Sequence, residues 1–315
     1  MRWITYDAGN GIRTGILDAD DTVRGLAPGN TLLGLIRSGA HALDIAAEHA
    51  RQSPEEVRPL SEVTLLAPIP RPPSIRDGLC FLDHLRGCYR ALGRDTTLHP
   101  AWSQTPAFYF TNPDCVVGPY ADVPVAPGSR LFDFELELGI VIGRAGRDLH
   151  PDEAEGHVVG YTLFNDWTAR DHQMRDLAQG IGLGKSKDSA ITLGPWLVTA
   201  DDLESQRRDG HLAVDLSATV NGRELARGRT DAMDWSIGEL LAYVSRGVDL
   251  TPGSVIGSGT IPGGCLLEHV DTPDPAAYAE WLRPGDVVTL RGDGLGETRN
   301  TVVAGVDVIP LHSGF

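Results

Sequence analysis

Residues 132–143, FDFELELGIVIG, alternate without a break. Phe134, Leu136, Leu138, Ile140 and Ile142 fall on one face of a strand, and Glu135, Glu137, Gly139 and Val141 on the other. At roughly 3.3 Å per residue the two glutamates stand about 7 Å apart. Such a strand ordinarily turns its polar side to water. Here the same face becomes apolar at Gly139 and Val141, and no lysine lies nearby in sequence. Two like charges on a buried face need a cation, and hard carboxylate oxygens favour magnesium, calcium or manganese. A fold for this chain must seat one apolar face and, opposite it, a charged pair that is partly dry.

The bulk properties leave room for that. The chain has 315 residues, enough for one large domain or a large and a small one. Hydrophobic residues make up 41% and charged residues 22%, as in an ordinary globular protein. The net charge of −16 and the lack of a basic patch argue against nucleic-acid binding. The cysteines (Cys80, Cys88, Cys115, Cys265) are scattered with no CxxC, which fits a reducing cytosol better than a disulfide scaffold or a zinc site. No signal peptide opens the chain, and no apolar run approaches the roughly 20 residues of a membrane span. A cytoplasmic protein is expected.

Residues 1–66 read as a small leading α/β module: short strands, then two helical runs through LLGLIRSG and HALDIAAEHARQS. The proline-rich APIPRPP, residues 67–73, is an extended connector, so the domain boundary is placed there, with 67–315 as the larger unit. DGLCFLDHLRGCYRAL, residues 77–92, has helical rhythm. On one helix Asp77 and His84, seven residues apart, would share a face with Cys80 and Cys88. The plain reading makes Asp77 an N-cap and His84 a surface or half-buried polar residue. TPAFYF reads as a strand; Tyr109 in it is a core tyrosine or a ligand contact.

After the glutamate strand, VVGYTLFNDWTARDHQ suggests a buried strand ending at Asp166, then a capping box at Thr168–Ala–Arg–Asp171 opening a helix. Arg170, Gln173 and Leu177 share that helix's face. Asp166 is either a turn residue or a carboxylate placed for a metal. GIGLGKSKDS is not a phosphate loop, because the position six before Lys185 is Gln179 rather than glycine. It is instead a glycine loop delivering Lys185 to a site. Asn221-Gly222 signals a type I′ hairpin, and Ser236 with Glu239 caps an amphipathic helix. Thr260 falls in a glycine turn, with Glu268 following it.

Taken together, FDFELELGIVIG, NDWTARD followed by Gln173, LGKS, GSGTIPGGCLLE, and PGD followed by RNTV resemble the fumarylacetoacetate hydrolase family. The likeness runs from APIPRPPSIRD to RNTVV and extends more loosely to the leading module. It implies a mostly β, α+β fold: a mixed β-sandwich or β-roll C-terminal domain behind a small N-terminal α/β domain. It also implies a divalent metal, magnesium or else manganese or calcium, held by Asp77, Glu135, Glu137 and Asp166. His84 falls at the family's general-base position and Glu268 at its orienting carboxylate. Arg170, Gln173 and Lys185 match the oxyanion donors, and Tyr109 and Thr260 match substrate contacts. The implied activity is hydrolysis of a C–C bond in a 1,3-diketo acid of acylpyruvate or fumarylacetoacetate type, by a homodimer. Decarboxylation, lyase chemistry or isomerisation of a 2-oxo acid is the alternative; a non-catalytic metabolite binder is a remote one. Leu79 and Leu177 stand near positions where the founding hydrolase has tyrosines, so a less polar pocket is expected.

Overall fold

The computed structural model describes residues 1–9, 11–271 and 280–312. Its spine is a 12-stranded mixed sheet. Strands Leu136–Ile142, Val158–Asp166 and Ile191–Thr199 form its antiparallel centre. On one side of that centre Val255–Gly257 pairs with Leu136–Ile142, then Ile75–Gly78 and Phe108–Thr111 complete the edge. On the other side Arg2–Asp7 joins Ile191–Thr199, with Arg2 opposite Val198 and Trp3 opposite Leu197. The leading segment therefore continues the same sheet, although the APIPRPP connector separates the two parts in sequence.

A second sheet of five strands contains Asp215–Val220, Arg223–Arg229, Val287–Gly292 and Gly296–Val303, with Val123–Pro124 at its edge. The apolar face of the glutamate strand, from Leu136 to Ile142, packs into one core with Leu216, Ala218, Val288 and Leu290 of this second sheet. The opposite face of the large sheet is covered too. Val141, Phe164 and Leu193 pack there with Trp3, Ile36 and Leu43. All seven residues of Leu136–Ile142 are buried, as expected for a strand sandwiched on both faces.

Local signals held where they were strong. The Asn221-Gly222 turn joins a paired hairpin, with φ of 52° and 79° at its two residues. Ser236 and Glu239 make a reciprocal capping box. Two expectations fail. Residues 77–92 are not one helix. Asp77 lies in strand Ile75–Gly78, held between Val255–Gly257 and Phe108–Thr111, and the helix runs only over Leu82–Ala91. Asp77 and His84 thus converge from two elements rather than from two turns of one. Asp77 is also no N-cap; Asp234, from a distant loop, accepts from the Leu82 amide at 2.8 Å. The capping box at Thr168 does not form either. Ala169 occupies the cap of helix Arg170–Gln179, and the Thr168 hydroxyl donates to the Asp166 carbonyl instead.

Candidate active site

Asp77, Glu137 and Asp166 from three strands, with Glu135 just ahead of strand Leu136–Ile142, meet at the end of the large sheet. Asp77, Glu135, Glu137 and Asp166 each offer an oxygen within 4.8 Å of the others, and all four are buried. Gly257 makes the meeting possible. A Cβ at that position would lie 2.2 Å from Asp77 Oδ1 and 2.7 Å from Glu137 Oε2. Glu137 accepts from the Gly259 amide at 3.0 Å and from Thr260 Oγ1 at 3.3 Å. Tyr109 donates to Asp77 Oδ2 at 2.7 Å and also contacts Asp166 Oδ2. Among the described residues Asp77 Oδ1 and Asp166 Oδ1 are buried with no hydrogen-bond partner.

The lysine inside the cluster is Lys187, not Lys185. Lys187 Nζ contacts Glu135 Oε2 and Asp166 Oδ2 and donates to Thr168 Oγ1 at 2.6 Å. Lys185 points outward with a side chain 62% exposed, paired to Asp188 at 2.9 Å. The reason is local: Asp176 Oδ2 accepts from the Gly184 and Ser186 amides at 2.9 and 3.0 Å and pins the turn Lys185–Lys187 so that its last lysine faces in. A lysine 52 residues away in sequence from Glu135 thus supplies the counter-charge that the strand's own neighbourhood lacks.

Arg170 is also not free. Its Nε donates to Asp133 Oδ2 at 2.8 Å, Nη2 to Glu135 Oε1 at 2.6 Å and Nη1 to Gln173 Oε1 at 3.1 Å. Asp133 escaped the sequence reading, yet it shares the alternation of Glu135 and Glu137 and is fully buried. It accepts from the amides of Leu266 at 2.7 Å and Leu267 at 3.1 Å. That anchors the turn Leu266–His269, which carries Glu268. Glu268 Oε1 lies 2.6 Å from His84 Nδ1. Helix Leu82–Ala91 comes this close because residue 87 is glycine; a Cβ there would sit 2.3 Å from Glu268 Oε2.

The electrostatics follow from burial and pairing. Burial, then crowding by other carboxylates, pushes Glu137 well above the ordinary carboxylate range, and burial does the same to Asp166 and raises Asp77. Burial acts on Glu135 too, but Lys187 and Arg170 beside it hold it well below that range. Burial would discharge Lys187, and Asp166 and Glu135 outweigh it, keeping the ammonium above its ordinary value. Burial likewise opposes charge on His84, yet contacts with Cys265 and Glu268 lift it to about 10. Cys265 assists that lift only as a thiolate, and burial holds its thiol well above the ordinary range. At neutral pH Glu268 is therefore the partner that matters.

Five buried carboxylates, Asp133 included, face two buried cations, Lys187 and Arg170. Unpaired buried charge is costly, so the cluster holds either protons or an added cation. The two orphaned oxygens, the glycine-lined approach and the all-carboxylate donor set fit a hard divalent ion.

His84, Arg170, Gln173, Lys187, Thr260 and Tyr109 border one cavity of about 700 Å³ together with Asp77, Glu135 and Glu137. Much of its remaining wall is apolar, including Leu79, Leu92, Trp102, Met174, Leu177 and Leu183. Leu79 and Leu177 thus fall on the pocket surface, as their positions suggested. Three of the four clustered carboxylates and the histidine of the His84–Glu268 pair thus border one cavity, an arrangement capable of acid–base chemistry.

The chain belongs to the fumarylacetoacetate hydrolase family, whose members are enzymes. The model for the fumarylacetoacetate (FAA) hydrolase C-terminal region matches residues 74–303, and an Rv2993c-like N-terminal model matches residues 1–68. The human mitochondrial oxaloacetate tautomerase FAHD2A is 32% identical over 275 residues, covering 87% of this chain and 80% of that protein. A fumarylacetoacetate hydrolase from Exiguobacterium antarcticum superposes with a TM-score of 0.74 at 27% identity, over 96% of this chain and 99% of that one. A probable 2-hydroxyhepta-2,4-diene-1,7-dioate isomerase from Mycobacterium abscessus superposes with a TM-score of 0.71 at 27% identity, over 98% and 100%. The relatives thus carry tautomerase, hydrolase and isomerase names on one fold. No helix among the described residues is long and apolar enough to cross a membrane.

Proposed function

We propose that the chain is a divalent-metal-dependent tautomerase or isomerase of a small 2-oxo acid, moving a proton between the carbon beside the oxo group and the oxo oxygen. The observation that carries this reading is the His84–Glu268 pair. Glu268 at 2.6 Å favours a proton-bearing imidazole at neutral pH, and that imidazole borders the cavity. Such a group suits a reaction that begins by giving a proton to carbon. In ketonisation, His84 donates to the enol carbon, the enol π pair forms the new C–H bond, and the O–H pair becomes the carbonyl. The hydroxyl proton then returns to the imidazole directly or through water. Positioned acid–base groups of this kind contribute about 10²–10⁴-fold.

Asp77, Glu135, Glu137 and Asp166 would hold the metal, magnesium or manganese by their hard oxygens. When bound, it supplies Lewis-acid polarisation and a docking point for neighbouring oxo and carboxylate oxygens. Lys187 and Arg170 keep Glu135 ionised for that task. Tyr109 and Thr260 orient ligand carboxylates. The apolar outer wall suits a substrate tail that is alkyl or aryl.

C–C hydrolysis is the second reading. The cavity is larger than a four-carbon acid needs, and the Gln173 side chain borders it. Against it, water attack at a second carbonyl needs free oxyanion donors. Arg170 is bound by Asp133, Glu135 and Gln173, and Lys185 lies outside. The test follows the enol absorbance of oxaloacetate and of aryl- and alkyl-pyruvates with manganese present, with products identified by mass spectrometry. Ketonisation with the carbon skeleton intact, lost in EDTA and in His84→Ala, is expected. Cleavage of acylpyruvates to two acids at a matching or higher rate would replace this reading with hydrolysis.

A further inference from the structure

Beside the carboxylate centre lies a second set of donors of opposite chemical character. His84 and Cys88 are one turn apart on helix Leu82–Ala91 and share a face. Cys265 precedes the turn Leu266–His269 that packs against that helix. One donor atom from each of the three lies within 4.8 Å of the other two, and all three residues are buried. Cys88 Sγ is 3.7 Å from His84 Nε2 and 3.9 Å from Nδ1, so it sits beside the ring between the two nitrogens. Tetrahedral zinc with ordinary Zn–S and Zn–N bonds separates a sulfur from a nitrogen ligand by roughly 3.6 Å. The sequence hides this set, because the cysteines are 177 residues apart and form no CxxC.

We propose that His84 Nε2, Cys88 Sγ and Cys265 Sγ form a thiophilic cation site that takes zinc-class ions and silences His84. Hardness divides the two centres: thiolate and imidazole select soft ions, and the four carboxylates select hard ones. The histidine is already restrained at its other nitrogen, Nδ1, and a small ring rotation would aim Nε2 between the two sulfurs. Its Nδ1 is engaged by the Glu268 carboxylate, the arrangement that fixes a metal-binding imidazole with its other nitrogen forward. His84 and Cys88 border the cavity, so an ion has a path in. Binding releases both thiol protons together with the Nε2 proton of the imidazolium and occupies the lone pair so freed. With that lone pair committed, His84 no longer transfers protons. Binding itself does not depend on the reaction proposed above; the inhibition does.

Cobalt(II) reads the site directly. In excess magnesium, one equivalent should give near-ultraviolet thiolate-to-cobalt charge transfer together with tetrahedral visible bands. Both should vanish in Cys88→Ser and in Cys265→Ser and persist in Cys115→Ser, whose thiol lies elsewhere. Absence of the charge-transfer band in the wild type overturns the proposal without recourse to any variant. So does a band that survives both serine changes, or one lost in Cys115→Ser. Zinc should also inhibit turnover at least tenfold more potently in the wild type than in Cys88→Ser. A full cobalt signal with no zinc inhibition would leave the site standing and remove His84 from the reaction.

Discussion

Exchanging the two lysines of the 181–190 loop for methionine, one at a time, separates the inner lysine from the outer one. Lys187 is 4% exposed and bridges Glu135 and Asp166, with Thr168 as a third partner. Removing one partner of a buried ion pair typically costs about 3–5 kcal/mol, because the remaining charge is left uncompensated. For a chain of this size about 2 °C accompanies each kcal/mol, so Lys187→Met should lower Tm by roughly 6–10 °C. Lys185 is 62% exposed and pairs with an Asp188 that is itself 39% exposed. Exposed pairs contribute below about 1 kcal/mol, so Lys185→Met should move Tm by no more than about 2 °C. Thermal unfolding in EDTA measures both. Adding manganese should recover part of the Lys187→Met loss, since the ion supplies positive charge to the same carboxylates. Equal shifts for the two variants, or a larger one at Lys185, would refute the assignment of Lys187 to the cluster.

Four further outcomes are expected. Asp133→Asn leaves Arg170 half-compensated and puts an amide where the Leu266 and Leu267 N–H groups donate; it should cost about 3–5 kcal/mol in urea unfolding and reduce turnover through a displaced Glu268. Glu268→Gln removes the carboxylate that helps lift His84 from 6.5 to about 10. The stability held in that pair is fully present below pH 6.5 and is lost as pH rises through the raised value of His84, so the gap between wild type and variant should narrow as pH climbs above 6.5; a gap independent of pH would refute the pairing. Asp77, Glu137 and Asp166 have raised affinities for protons, so the metal-free protein should lose stability as pH climbs from the ordinary carboxylate range toward neutrality, and manganese should flatten that decline in Tm. Along a series of 2-oxo acids with lengthening alkyl tails, kcat/KM should rise about fourfold per methylene buried against Leu79, Leu92 and Leu177, corresponding to about 0.8 kcal/mol each, until the cavity is filled.

Apart from the Thr168 capping box, which does not form, turn and cap signals contained within one element were legible in the sequence, and signals decided between elements were not. The Asn221-Gly222 hairpin and the Ser236 capping box each rest on a few adjacent residues, and each appears as read, whereas FDFELELGIVIG forms one strand only over Leu136–Ile142, with Phe132–Asp133 paired separately to Thr168–Ala169. Helical rhythm in residues 82–92 extends back across Asp77 and points to a helix where the chain forms a strand. Pairing with Val255–Gly257, nearly 180 residues away, overrides that rhythm. The lysine was missed by two positions for a related reason. LGKSKD offers two lysines on a tight turn, and no periodicity states which faces inward. The choice is made by Asp176, a residue of the preceding helix, through its grip on two backbone amides. Asp133 is the opposite case, since its signal was present. It stands at the same parity as Glu135 and Glu137 in one strand-like run, so an argument that places those two on a dry face places Asp133 there as well. Three dry carboxylates in a row require more positive charge than one divalent ion brings. That requirement alone would have directed attention to a buried arginine and a buried lysine, and it explains why Arg170 neutralises Asp133 and Glu135 here rather than standing free for a substrate oxyanion.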